Sequence, residues 1–346
     1  MRRILVVDDN LTILKQISSY LADDYEVSLA KSGPLALQIC IREKPDLILL
    51  DVEMSDMDGF GVMARLKENP YLDRIPVIFL TANHSVEVEI RALESGARDF
   101  IVKPVEKSIL LHRIELHLRF ASYQSQTEQT VMTLSDSIAT SFAEMIECRD
   151  ENTGGHVIRT SKYVDLLGKE LIKQGLFPNE LNPAELQMMV RAAPLHDIGK
   201  IAISDRILLK VGRLDDMEFA AIKCHSEIGA AILKRMYQRM PAQHYLRYAS
   251  LIAGSHHERY DGKGYPNGLA GENIPLCGRI MAVADVYDAL IDNRVYRGSM
   301  GHIQASNIIF ENSGTHFDPG IVEAFRNTQD KIMEVFNTFK ENPAMH

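Results

Sequence analysis

Five short apolar runs, each followed by a stretch of helical spacing, fill the first 120 residues and restrict the fold more tightly than any other feature. Ile4–Val7, Tyr25–Leu29, Leu47–Leu50, Val77–Leu80 and Phe100–Val102 read as strands. Between them Ile13, Ile17 and Leu21, then Val62 and Leu66, recur at helical intervals. Five βα repeats predict an α/β doubly wound parallel sheet, whose ligands gather at the carboxyl ends of the strands. Asp8 and Asp9 follow the first run, Asp51 the third, Thr81 the fourth and Lys103 the fifth. Three carboxylates with one lysine and one hydroxyl suit a site that binds Mg²⁺, which prefers hard oxygen ligands, and that accepts a phosphoryl group on an Asp.

On Asp8-Asp9, Asp51 within Leu49–Gly59, Thr81-Ala82 and Lys103-Pro104, residues 1–120 resemble the receiver domain of two-component response regulators. The resemblance implies phosphorylation of Asp51 by a cognate histidine kinase. It implies Mg²⁺ held by Asp9, Asp51 and the Glu53 carbonyl, with Asp8 acting through water. Thr81, Phe100 and Lys103 match the family's switch residues. Ser55 stands where the family usually carries Pro, a change expected to alter a loop and leave the chemistry intact.

Val105–Phe120 has a helical pattern, and the Gln-, Ser- and Thr-rich Ala121–Thr130 then separates the halves. The pattern resumes at Leu134, Ile138, Phe142 and Met145. No Pro or Gly interrupts Val105–Cys148, so a long signalling helix is expected, with residues 121–146 as the connection. Its apolar stripe either pairs with a second copy, giving a homodimer through a coiled coil, or packs on its own domain.

Nine of the twelve histidines lie beyond residue 121. Helical patterns over Gly155–Gln174, Asn182–Gly199, Asp215–Arg239, Tyr245–His257 and Ile274–Asp292 predict an all-α bundle, with a metal site built from several helices. Two pairs carry that expectation, His196-Asp197 and His256-His257. Imidazole and carboxylate are the ligand types that hold hydrolytic metal ions. If His196 and Asp197 are helical, they point about 100° apart and could serve one ion or bridge two. Lys200 would then share the face of His196.

Five stretches, Ala193–Ile203, Ile222–Gly229, His256–Pro275, Arg279–Leu290 and Gly314–Pro319, resemble the HD-GYP subgroup of HD-domain metal phosphohydrolases, over roughly residues 135–335. The resemblance implies hydrolysis of cyclic di-GMP to the linear dinucleotide pGpG and onward to GMP by metal-activated water. His196, Asp197, His225, His256, His257 and Asp285 match the metal ligands, with Asp197 as the bridging carboxylate. Lys200, Arg294 and Arg297 match phosphate-binding positions, and Tyr265 lies in the loop that shapes substrate access. Asp288, one turn after Asp285, is expected to orient the attacking water beside Asp197 and Lys200.

Some members carry a Glu four residues before His156 that helps hold a third metal. Here that position is Asn152, with Glu151 beside it, so two metals are expected and His156 is left as a neighbour of the site. Fe or Mn is favoured, and Zn, Co or Ni also fit the donor types. Two rival readings keep the fold: a cyclic dinucleotide-binding scaffold that recruits a diguanylate cyclase through the Tyr265 loop, and a phosphodiesterase for another cyclic or linear dinucleotide. Domains are expected at 1–120, 121–146 and 147–346.

Composition sets the remaining bounds. The net charge of −9 over 346 residues argues against a nucleic acid polymer as partner. The cysteines Cys40, Cys148, Cys224 and Cys277 form no CxxC, which suits a reducing compartment. With no signal-like start and no apolar span, a cytoplasmic protein is expected.

Overall fold

The computed structural model describes residues 1–69, 71–82, 86–150, 155–292 and 301–341. The chain divides into two compact units, Met1–Met132 and Thr133–His346.

In the first unit β1 (Arg3–Val7), β2 (Glu26–Ala30), β3 (Leu47–Asp51), β4 (Val77–Thr81) and β5 (Asp99–Val102) form one parallel sheet. The strand order is β2-β1-β3-β4-β5, with Ile4 opposite Leu47 and Ile48 opposite Val77. β3 and β4 are buried along their whole length because helices cover both faces, which is why they read as unbroken apolar runs. Alternate residues divide between two cores. Leu5, Val7, Ile48, Leu50 and Phe79 meet α2 (Gly33–Glu43) and α3 (Gly59–Lys67). Ile4, Val6, Leu47, Leu49 and Ile78 meet α1 (Leu11–Leu21) and the start of α5. α4 (Val86–Glu94) precedes β5.

α5 is a single helix of 41 residues, Lys107–Glu147. The polar stretch 121–130 therefore lies within the helix and does not interrupt it. The division between the units also falls inside α5, between the expected boundaries at 120 and 146. Leu110, Ile114 and Leu118 are buried in the first unit and Ala143 and Ile146 in the second, whereas Leu134, Ile138, Phe142 and Met145 are exposed.

The second unit is helical: α6 (His156–Lys173), α7 (Pro183–Ala192), α8 (Asp205–Leu208), α9 (Asp216–Arg239), α10 (Tyr245–Ala253), α11 (Leu276–Ile291), α12 (His302–Glu311) and α13 (Pro319–Glu341). Sequence periodicity had not singled out α8, α12 or α13, although α13 buries Ile321, Phe325, Ile332 and Phe336 at helical spacing.

Two predicted helices end early, and both ends shape the site. α7 stops at Ala192 and gives way to 3₁₀ turns over Ala193–Leu195 and Ile198–Ala202, so His196 and Asp197 do not share an α-helix. Pro194 has no N–H to continue the ladder and disfavours helix at the residue before it. α10 stops at Ala253, so His256 and His257 lie in the turn beyond it. There the Ser255 hydroxyl donates to Leu251 O at 2.6 Å, and His256 Nδ1 lies 3.0 Å from Ile252 O. The Ser255 hydroxyl thus takes the carbonyl that its own amide would use in a continuing helix, and that amide bonds Ile252 O instead, at 3.1 Å.

Candidate functional site

The candidate centre is assembled from short segments of different elements, and the carbonyl partners of its histidines fix their chemistry. His196 Nδ1 lies 3.0 Å from Ala193 O, His225 Nδ1 2.7 Å from Ile222 O, and His256 Nδ1 3.0 Å from Ile252 O. A carbonyl only accepts, so each Nδ1 carries a proton, and in the neutral ring that leaves the Nε2 lone pair for a cation. His156 is oriented by a carboxylate instead, with Nδ1 2.7 Å from Asp288 Oδ2.

Two donor groups result: Asp197, His225, His256 and His257, and His156, His196 and Asp285. Asp197 faces both. Its Oδ1 lies 3.1 Å from His225 Nε2 and 3.5 Å from His256 Nε2, and its Oδ2 lies 3.4 Å from His196 Nε2. Asp285 Oδ1 lies 3.4 Å from His156 Nε2 and 3.9 Å from His196 Nε2.

The residues fit a bound cation. Nε2 of His156, His196 and His256 and Oδ1 of Asp197 are buried without a hydrogen-bond partner among the described residues. Buried polar atoms left bare are costly, and four converging ones are the donor set a metal ion satisfies. Electrostatics point the same way. Against the opposing effect of burial, His196 and His156 hold Asp285 at about 2. Asp197 is held well below the usual carboxylate range by Lys200 and His196, again against burial. Burial, then the neighbouring His256, pushes His257 well below the usual imidazole range, so it stays neutral.

Three residues take places other than those expected. Lys200 does not extend along the face of His196; its Nζ lies 2.9 Å from Asp197 Oδ2, because the 3₁₀ turn replaces the predicted helix. Asp288 is fully buried, accepts two 2.7 Å bonds from Arg159 and contacts His156 Nδ1. Its carboxylate is committed behind His156 and does not reach for water. His156, expected as a neighbour, belongs to a donor group. The Tyr265 ring lies 4.7 Å from that of His257, tilted by 31°. Arg294, Arg297, Asn152 and Glu151 lie outside the described residues.

Sequence reasoning overlooked Arg159, Glu258 and Glu147. Arg159, one turn after His156, is buried and also donates to Asp292 at 2.6 Å. Glu258 is buried and accepts from the backbone of Asn267 and Leu269 at 2.7 and 3.0 Å, fixing the loop that carries Tyr265. Its place beside His256-His257 was the available signal. Glu147, the last residue of α5, is buried; against burial, Asp288 raises His156 and Asp197 raises His196, and Glu147 adds a smaller share to each.

A second constellation occupies the strand ends of the first unit, where Asp8, Asp9 and Asp51 group their carboxylates. Lys103 Nζ lies 2.8 Å from both Asp8 Oδ2 and Asp51 Oδ1. Burial raises Asp51, although Lys103 opposes it. Thr81 is buried at the end of β4, Phe100 is half-buried, and the Glu53 amide lies 3.4 Å from Asp51 Oδ1. The Ser55 amide donates to Asp9 Oδ2 at 3.1 Å, a bond that proline could not make.

Residues 4–115 match the response regulator receiver domain and residues 141–321 match the HD domain. The chain belongs to the response regulators that join a receiver domain to an HD domain. It is 38% identical to a "Probable cyclic di-GMP phosphodiesterase" of Vibrio cholerae, over 98% of this chain and 80% of the relative. It is 34% identical to the "Cyclic di-GMP phosphodiesterase response regulator RpfG" of Xanthomonas campestris, over 99% and 92%. A "3'3'-cGAMP-specific phosphodiesterase 2" of Vibrio cholerae is 38% identical over 58% of this chain and 36% of its own length. Membership makes the chain a metal-dependent phosphodiesterase with a receiver served by a phosphodonor. Among the described residues no helix is long and apolar enough to cross a membrane.

Proposed function

We propose that this response regulator hydrolyses cyclic di-GMP to linear pGpG and GMP at a dinuclear His/Asp centre, under control of phosphorylation at Asp51. The observation that carries the reading is Asp197, whose two oxygens face two separate donor groups. The relatives' names supply the substrate. His225, His256 and His257 would hold one ion, His156, His196 and Asp285 the other, and Asp197 would bridge them. Fe or Mn suits this mixed donor set. Bound metal supplies Lewis acidity and water activated for attack on phosphorus. Lys200 holds the Asp197 carboxylate charged and adds a positive charge beside the scissile phosphate. Tyr265, its ring 4.7 Å from that of His257, would flank the bound substrate.

In the receiver, Asp51 would accept the phosphoryl group from a histidine kinase, with Mg²⁺ held by Asp9, Asp51 and the Glu53 carbonyl. α5 begins after the receiver's Lys103-Pro104 and ends at the buried Glu147, so it would carry the control of hydrolysis from one unit to the other. The exposed side of α5 at Leu134, Ile138, Phe142 and Met145 suits pairing with a second copy.

The test combines metal analysis with turnover. Protein loaded with Mn²⁺ or Fe²⁺ should linearise cyclic di-GMP, and folded, metal-loaded protein without turnover would overturn the reading. Acetyl phosphate should change the rate in the native chain and not in Asp51→Asn. A second substrate, 3'3'-cGAMP, is favoured by the relative specific for it, and a dinucleotide panel separates the two.

A further inference from the structure

Lys223 and Phe219 stand one turn apart on α9, and neither donor group uses them. Phe219 is 48% exposed, so part of its ring is open to solvent. Lys223 Nζ lies 4.5 Å from the centre of the Phe219 ring and 5.2 Å from that of Tyr265. Tyr265 in turn lies against His257, and His225 is two residues beyond Lys223. An ammonium is thus held between two aromatic faces beside the candidate centre. Its partners among the described residues are rings and not a carboxylate, so its charge is left for an anion.

The substrate class explains what that anion would be. A cyclic dinucleotide carries two phosphodiesters, and only the scissile one can lie at the donor groups. The other brings a negative charge and flanking purines away from those groups. Lys200 is already drawn onto Asp197. Resting on the cyclic dinucleotide reading above, we infer that Lys223 receives the second, non-scissile phosphodiester, and that Phe219 and Tyr265 offer flat faces to an adjoining base. The rings position the ammonium in the absence of substrate and provide stacking surface once the phosphate has drawn it away.

Steady-state kinetics of the full-length, metal-loaded protein with cyclic di-GMP test this. Lys223→Met should raise KM roughly tenfold, the scale of one charge-assisted contact, with little change in kcat. The rise of KM with salt should also become shallower, because one phosphate contact is gone. Lys223→Arg should restore most of the affinity, and Phe219→Ala should raise KM without altering the salt dependence. Wild-type metal content in each variant serves as the folding control. An unchanged KM in Lys223→Met, or a fall confined to kcat, would overturn the inference. Turnover of a hybrid cyclic dinucleotide in place of cyclic di-GMP would overturn the substrate reading alone, and the same comparison would then be made on that dinucleotide. No turnover of any cyclic dinucleotide would overturn both.

Discussion

Asp288 Oδ2 lies 2.7 Å from His156 Nδ1, and the same carboxylate takes two 2.7 Å bonds from Arg159. The pair sets the imidazole tautomer, leaving Nε2 of His156 3.4 Å from Asp285 Oδ1. Asp288 thus acts on the donor group through His156. Asp288→Ala should lower metal affinity about 10–100-fold, the usual effect of losing an orienting partner behind a ligand. It also leaves the buried Arg159 guanidinium with Asp292 as its remaining carboxylate, at a cost of about 1–3 kcal/mol. Metal titration by mass spectrometry and thermal unfolding measure the two effects. Wild-type metal binding in a folded Asp288→Ala protein would contradict the assigned role.

Gly199 controls how closely the 3₁₀ turn after Asp197 approaches α9. A Cβ there would fall 1.9 Å from His225 O and 2.7 Å from Gly229 N, both backbone atoms that cannot rotate away. Gly199→Ala should therefore separate Asp197 from His225, with a loss of stability of about 1–3 kcal/mol or more. Gly301→Ala, where an added Cβ meets nothing within 4 Å, is the control. The expected outcome is a lower Tm and reduced metal retention in the first variant only.

Lys103 is the shared counter-charge of Asp8 and Asp51. Lys103→Met removes it and leaves two buried carboxylates facing each other, at a cost of about 3 kcal/mol in the receiver. Since burial already raises Asp51, its pKa should climb further. Mg²⁺ binds the folded carboxylate cluster and should stabilise the variant more than the native chain. Thermal unfolding with and without Mg²⁺ checks this, and equal gains in the two proteins would refute it.

His316 lies flat on Phe317, with ring centres 4.2 Å apart and 10° between planes. Burial, helped by Arg259, lowers its pKa to about 4. An unfolded chain takes up this proton near 6.5, whereas the folded chain resists until about 4. Proton binding therefore favours unfolding, and the stability that neutral His316 permits is full above pH 6.5 and lost as pH falls toward 4. His316→Gln should flatten the fall of Tm between pH 7 and 5. An unchanged slope would show that other groups govern acid lability.

The sheet and the ligand types were legible because they depend on local pattern. Fully covered parallel strands force unbroken apolar runs, and Asp8, Asp51, Thr81 and Lys103 are set at strand ends by chain order. The pairs His196-Asp197 and His256-His257 announced a metal site by residue type. Their backbone was harder to read. Both pairs follow a helix that the apolar period extends too far, since Pro194 and the Ser255 hydroxyl end those helices by means a period does not register.

By itself, then, the sequence determined the two folds and the inventory of His and Asp donors, since covalent order and residue chemistry suffice for both. Only tertiary structure decided how that inventory divides. It placed Asp197 between two groups, Lys200 on Asp197, and His156 in front of Asp288 and Arg159. His156 and Arg159 meet Asp288 from 132 and 129 positions away, and which atoms face one another depends on packing, rotamers and carbonyl partners that no local pattern encodes.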